Sequence, residues 1–138
     1  MTGEREAYDR IIEPLNLETV FVPWSPEAVD RELSRSRVVI LPNSRDAFSI
    51  CKSANRATLA LAHGVPVVAT RIPSLEPLSN AVLFDDFEAG IHAYLADPSL
   101  ARTHLEAAQP LLDGLFSSAG VSARWSEILV AMASRRRG

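Results

Sequence analysis

With 138 residues, 47% hydrophobic and 22% charged, the chain has the composition of one globular domain that buries about two thirds of its unfolded surface. The net charge of −3 gives no general support for nucleic-acid binding, and the tail Arg135, Arg136, Arg137 is more typical of a solvated helix end than of a binding patch. The single cysteine, Cys51, excludes an internal disulfide, and no apolar run approaches the ~18 residues that span a bilayer, so we expect a cytoplasmic protein.

The first third of the chain predicts helix, strand and helix. Residues 4–13 have helical spacing with acidic residues in the first turn, and Pro14 ends the pattern. Residues 19–24 are β-branched and aromatic, which predicts a strand that stops at Pro23. Ser25 then provides a hydroxyl cap, with proline at the first helical position. We expect that helix to run to about Ser34. Its inward residues are Ala28, Val29 and Leu33.

The middle of the chain, residues 37–84, predicts three buried strands. Residues 37–42 form a continuous apolar run, followed by a polar loop at 43–51 and a helix that ends at His63. Gly64 suits a left-handed helix terminator, and 65–70 is the next buried strand. A proline-rich loop at 71–80, with one helical turn at 75–78, leads to the strand 81–84. Parallel strands follow from crossovers of this length.

The last third is helical, with predicted helices at 87–95, 99–116 and 120–137 and a kink or division at Pro110. Apolar residues of the last helix, Val121, Trp125, Ile128, Leu129 and Met132, recur at helical spacing. The predicted fold is therefore α/β: a single domain, 1–138, with a Rossmann-like three-layer parallel sheet and a helical C-terminal tail. About four strands is small for such a sheet, which suggests that a piece is missing.

The loop 43–53 offers the best candidate site. A helix N-terminus has free N–H groups and a partial positive charge, which suit a phosphate, and Lys52 and Arg56 would add full charges. The alternative is that Ser49 or Ser53 caps the helix while the two cations line its solvated side. The glycine-rich patterns of nucleotide-binding loops are absent from the sequence.

Other polar residues favour structural roles. His63 suits the helix end, and His92 and His104 show no metal-ligand spacing with Cys51, so we expect no metal or cofactor. Asp85 and Asp86 precede a helix, which favours capping. No arrangement supports Cys51 as a nucleophile, and Trp24 and Trp125 are expected to be core or interface aromatics.

The segment A-L-A-H-G-V-P-V-V-A-T at 60–70, followed by Glu76, resembles the C-terminal half of GT-B glycosyltransferases of the "glycosyl transferases group 1" type. The order Y-L-A-D-P-S-L-A-R, L-F-S and a last helix with Trp125 resembles that family's closing helices. The likeness covers about residues 19–132. It implies transfer of a sugar from a nucleotide-diphosphate sugar to an unknown acceptor.

The resemblance also implies a donor site. The diphosphate would be held by Ser49, Lys52, Ser53 and Arg56, and the ribose or sugar by Asn55 and Glu76. Where the family carries a pair of glutamates this chain has Cys51 and Leu59, so Asn55 and Arg56 are the substitutes we expect. Glu76 has a simpler alternative as a surface carboxylate between two prolines.

The family's N-terminal acceptor domain has no counterpart in this sequence. We therefore expect either a fragment of a longer enzyme or a small protein that kept the donor half. The alternative function is a non-catalytic nucleotide-binding or protein-interaction module of the same fold. An unrelated flavodoxin-like domain is disfavoured by the missing phosphate loop and the helical tail.

Overall fold

The computed structural model describes residues 5–135, which belong to two compact units, one up to Ser36 and one from Arg37 onward. The first unit contains α1 (Arg5–Ile11), a 3-10 turn (Glu13–Leu15) and α2 (Pro26–Leu33). The second contains β1 (Val39–Leu41), α3 (Asn55–Ala62), β2 (Val67–Ala69), β3 (Val82–Phe84), α4 (Phe87–Ala96), α5 (Pro98–Asp113) and α6 (Ser118–Arg135). Residue 4 of the first predicted helix, and Arg136 and Arg137 of the last, lie outside the described residues. The single domain over 1–138 stays a prediction.

The first unit confirms the predicted helix start at Ser25. The Ser25 hydroxyl accepts the Ala28 N–H at 3.1 Å, and Pro26 occupies the first helical position. The three expected inward residues, Ala28, Val29 and Leu33, are buried. This helix therefore begins where a side-chain oxygen satisfies one of its free amides.

The strand predicted at 19–24 is wrong. The segment has no secondary structure, and within residues 5–135 no strand pairs with it. Its apolar side chains gain little burial, since Val20 is 85% and Trp24 65% exposed. Pro23 also lacks the N–H that a ladder needs. Phe21 instead stacks near Tyr8 of α1, with 5.4 Å between ring centroids.

The second unit is built on a parallel sheet in the order β1-β2-β3. Val39, Val67 and Val82 lie side by side across it, and the next two positions of each strand follow in register. All three residues of β2 are buried, as expected for a central strand with apolar residues throughout. The α/β class and parallel strands are confirmed, with three strands over residues 5–135 instead of about four. The three-layer arrangement stays a prediction.

Small residues allow the helices to approach this sheet closely. Helix α3 contacts β1 and β2, and α4 contacts β2 and β3. A Cβ built on Gly90 of α4 would lie 2.8 Å from Cγ1 of Val68. Gly64, at a φ of +72°, follows α3 and confirms the predicted left-handed terminator.

The C-terminal helices match the predicted order, with one difference. Helix α5 continues through Pro110 to Asp113, so the predicted division of this helix does not occur. Helix α6 presents its apolar residues to solvent, with Trp125 60% exposed. Within residues 5–135, no helix has the length and apolar character needed to cross a membrane.

Candidate functional site

A pocket lies at the carboxyl ends of β1 and β2, the edge where open parallel sheets usually bind ligands. Its enclosed volume is only about 20 Å³, or about 280 Å³ with its open mouth included. The described residues that line it come from the end of β1, the loop before α3, the first turn of α3, and the segment after β2 with its 3-10 helix Pro73–Leu78: Leu41, Asn43, Lys52, Ser53, Arg56, Ala57, Ile72 and Leu75. Three of the six predicted site residues are thus brought together: Lys52, Ser53 and Arg56.

Asp46 organises the loop that leads to this pocket. Its Oδ1 accepts the backbone N–H groups of Phe48 and Ser49, both at 2.9 Å, and its other carboxylate oxygen accepts the Ser44 hydroxyl. The Ser44 hydroxyl, followed by the N–H of Ser49, lowers the pKa of Asp46 to about 2, so the side chain is ionised at neutral pH. These bonds close a separate 3-10 turn at Ser49–Cys51.

Because of that turn, the helix begins later than the sequence predicts. The backbone becomes extended at Lys52, and α3 starts only at Asn55. No side chain of the described residues caps its N-terminus, so the capping alternative for Ser49 and Ser53 is wrong. The first amides of α3 therefore stay without a side-chain partner at the pocket that Arg56 also lines.

Lys52 and Arg56 place two cationic side chains at the pocket. Lys52 is the only lysine of the chain; the other basic side chains are all arginine or histidine. Its Nζ donates to Oδ1 of Asn43 at 3.4 Å and lies 5.6 Å from the centroid of the Phe48 ring. Both of these groups are uncharged, so neither forms an ion pair with the Lys52 ammonium.

Asn43 is a pocket residue to which sequence reasoning assigned no role. It follows β1 by two positions and is nine residues from Lys52 in the chain. Its backbone N–H donates to the hydroxyl of Thr70, which follows β2, at 3.0 Å. A polar residue directly after a predicted buried strand is the signal that could have identified it, because such positions lie at the ligand-binding edge.

The other three predicted residues do not line the pocket as the described chain forms it. Ser49 is 3% exposed and its hydroxyl lies 2.8 Å from that of Ser44. Asn55 is exposed at the first position of α3. Glu76 is exposed and accepts Nη1 of Arg71 at 3.1 Å, as in the surface-carboxylate alternative. Only a ligand that extends beyond the pocket would reach Asn55 or Glu76.

An ion cluster lies at the ends of β2 and β3. Asp85, at a φ of +69°, accepts the backbone N–H of Arg71 at 3.0 Å and pairs with Nη2 of Arg45 at 2.9 Å. The Arg71 N–H, followed by the Arg45 side chain, lowers the pKa of the Asp85 carboxyl. This cluster connects the loop that carries Arg45 to the end of β3. The expectation that the acidic pair caps a helix is confirmed for Asp86 alone, which accepts the Ala89 N–H of α4.

The remaining candidates have structural surroundings. Nδ1 of His63 lies 2.9 Å from the Leu59 carbonyl, and Nδ1 of His104 lies 2.7 Å from the hydroxyl of buried Tyr94. Burial lowers the pKa of His104. Trp24 and Trp125 were expected to be core or interface aromatics; both are exposed, so the core role is wrong and the interface role stays a prediction. Among residues 5–135, no group of three or more His, Cys, Asp or Glu side chains is placed to hold a metal.

Comparison with known proteins gives no family for this chain. No protein-family model matches it, and no curated protein has a significant match to it. A function is therefore inferred from the chemistry of the pocket together with the sequence.

Proposed function

We propose that the unit from Arg37 onward is the donor-binding half of a cytoplasmic glycosyltransferase, which transfers a sugar from a nucleotide-diphosphate sugar to an acceptor. One observation carries the proposal: the two cations Lys52 and Arg56 line one pocket at the carboxyl edge of the sheet, beside the uncapped start of α3. This combination of full charges and free amides suits a diphosphate. The likeness of residues 60–70 to group 1 glycosyltransferases is the reason that we choose a nucleotide-diphosphate sugar among the possible diphosphate ligands.

Each polar residue of the pocket would make a different contact with a diphosphate. Lys52 acts as a point charge with three rotatable donors, and the Arg56 guanidinium can grip two phosphate oxygens at once. The exposed hydroxyl of Ser53 adds a neutral donor. The enclosed cavity of about 20 Å³ is far below the ~300–1,000 Å³ of pockets that enclose a drug-sized ligand. We therefore expect a diphosphate to bind at the open mouth of the pocket, with nucleoside and sugar extending away from it.

The same charges would assist the transfer. As the bond between the sugar's anomeric carbon and the diphosphate oxygen breaks, negative charge grows on the leaving nucleoside diphosphate. Lys52 and Arg56 would stabilise that charge by attraction, which is an electrostatic contribution to catalysis. The acceptor would be bound by a further domain. Asn55 and Glu76 are both exposed and thus accessible to ribose or sugar.

A second candidate is a non-catalytic nucleotide-binding or protein-interaction module. Cys51 and Leu59 stand where group 1 glycosyltransferases carry glutamates, and both side chains are exposed. Neither can accept a hydrogen bond from a ribose hydroxyl as a carboxylate does. This module would keep the phosphate contacts and lose the transfer.

Thermal stability under titration with UDP, GDP and their sugar conjugates tests the proposal. A ligand at 100 times its dissociation constant should stabilise the folded chain by about 2.7 kcal/mol. We expect one nucleotide family to raise the melting temperature, with the Lys52→Ala variant responding less. No shift with any of these ligands would contradict the donor site. Binding of nucleoside diphosphates without preference for the sugar conjugate would favour the non-catalytic module.

A further inference from the structure

Asn43 is held at three points around the pocket. Its backbone N–H donates to Oγ1 of Thr70 at 3.0 Å, and its Nδ2 donates to the carbonyl of Leu41, the last residue of β1, at 3.4 Å. Its remaining polar atom, Oδ1, accepts Nζ of Lys52 at 3.4 Å. Thr70 is only 7% exposed, so the residue that anchors Asn43 is buried directly after the end of β2. A rigid sheet edge is thereby connected to a long, flexible side chain.

The chemistry of this contact suits a cation that must remain available. An amide oxygen occupies one of the three hydrogens of the ammonium and leaves the net charge in place. A carboxylate at the same position would form an ion pair and compete with an incoming anion. The second neighbour of the ammonium, the Phe48 ring with its centroid at 5.6 Å, is likewise uncharged. Both contacts restrict where Lys52 points without neutralising it.

We propose that Asn43 is a positioning residue: anchored by Thr70, it holds the Lys52 ammonium at the pocket so that less side-chain freedom is lost when an anion binds. A lysine side chain is among the most entropically costly to immobilise, so pre-ordering it favours binding. That the anion is a nucleoside diphosphate rests on the proposed function. The ordering of Lys52 by Asn43 does not, because it is present in the chain without ligand.

The single lysine makes this ordering measurable. Protein labelled with 13C at the lysine ε-carbon gives one ε-methylene NMR signal, and its relaxation reports the mobility of the Lys52 end. We expect higher mobility in Asn43→Ala and in Thr70→Val, which lacks the anchoring hydroxyl, and wild-type mobility in the matched control Thr70→Ser. Equal Lys52 mobility in wild type and Asn43→Ala would overturn the proposal, whether or not any nucleotide binds.

Binding of UDP and GDP then shows whether the ordering acts through Lys52. Asn43→Ala should weaken the binding of diphosphate about fivefold, and this loss of affinity should vanish in the Lys52→Ala background. Asn43→Asp should hold Lys52 at least as firmly as wild type and yet bind diphosphate more weakly than Asn43→Ala does. Persistence of the full Asn43→Ala effect without Lys52 would overturn the positioning role in favour of direct contact. A wild-type chain that binds neither nucleotide would refute the proposed function, while the mobility comparison would still decide the role of Asn43.

Discussion

The close approach of α4 to the sheet at Gly90 gives a quantitative test of the fold. In the Gly90→Ala variant the new Cβ would lie 2.8 Å from Cγ1 and 3.0 Å from Cγ2 of Val68. Val68 is fully buried in the central strand, so it has little room to move. Overpacking of this kind costs about 1–3 kcal/mol, whereas replacing glycine by alanine inside a helix gains about 1 kcal/mol. We therefore expect a net loss of about 1 kcal/mol in the free energy of unfolding.

The Val68→Ala variant supplies the matched background, because it removes both Cγ atoms. There the clash disappears and the helix-propensity gain remains, so Gly90→Ala should stabilise by about 1 kcal/mol. The two effects of the same substitution should thus differ by about 2 kcal/mol, which is within the range of coupling energies for residues in contact. Urea unfolding followed by far-ultraviolet circular dichroism measures all four proteins. A stabilisation of equal size in both backgrounds would refute the packing of α4 on β2.

Three further predictions concern the local devices that shape the second unit. Gly64→Ala should lower the free energy of unfolding by about 1–2 kcal/mol, because a Cβ there meets open space and only the left-handed backbone is strained. Gly64→Asn should lower it less, and equal urea midpoints for the two variants would contradict this. Asp86→Ala should lower the free energy of unfolding by about 1 kcal/mol and Asp86→Asn by much less, because asparagine keeps a side-chain oxygen that can accept the Ala89 N–H. Equal losses in the two variants would contradict this cap. The folded chain depresses the pKa of Asp46 to about 2, so this carboxylate stabilises the fold above its unfolded pKa of about 4 and loses that contribution as the pH falls toward 2. Asp46→Asn should unfold with a shallower acid dependence across that window, and identical slopes would show that the hydrogen bonds of Asp46 do not stabilise the loop.

Most of the second unit follows from local signals in the sequence. The strands β1, β2 and β3 coincide with continuous apolar runs, as predicted. The expected burial on both faces holds for β2 alone, since Ile40 of β1 is 51% exposed and β3 is only partly buried. Gly64 and Asp86 mark helix ends because a left-handed residue and a carboxylate acceptor are short-range requirements. Such signals need no knowledge of distant parts of the chain.

The failures come from interactions that are not local. The segment 19–24 has the residue types of a strand, but a strand also needs a partner, and β propensity does not supply one. The start of α3 was predicted too early because the carboxylate of Asp46 closes its own turn at Ser49–Cys51. Pro110 was expected to kink or divide a helix; the helix is not divided there and continues to Asp113.

The charged residues of the candidate site could be predicted from the sequence, whereas their arrangement around the pocket could not. Lys52 and Arg56 were identified from a loop and helix start, and the structure places both at the pocket. Asn43 lies in the predicted loop 43–53 but received no role, because its contact with Lys52 spans nine residues and depends on an anchor at Thr70, beyond the end of the neighbouring strand. Ser49 points to Ser44 instead of the pocket, a consequence of the turn that Asp46 closes.

The central claim, that Lys52 and Arg56 form a diphosphate site, is tested most directly by comparing nucleoside diphosphates with nucleosides. Calorimetric titration of wild type, Lys52→Ala, Arg56→Ala and the control Arg102→Ala, an exposed arginine of α5, would use UDP and GDP alongside uridine and guanosine. Each site variant should lower the affinity for UDP or GDP about tenfold or more and leave the affinity for the nucleoside unchanged. The affinities of Arg102→Ala should match those of wild type. Equal weakening of diphosphate and nucleoside, or full diphosphate affinity without these two cations, would contradict the site.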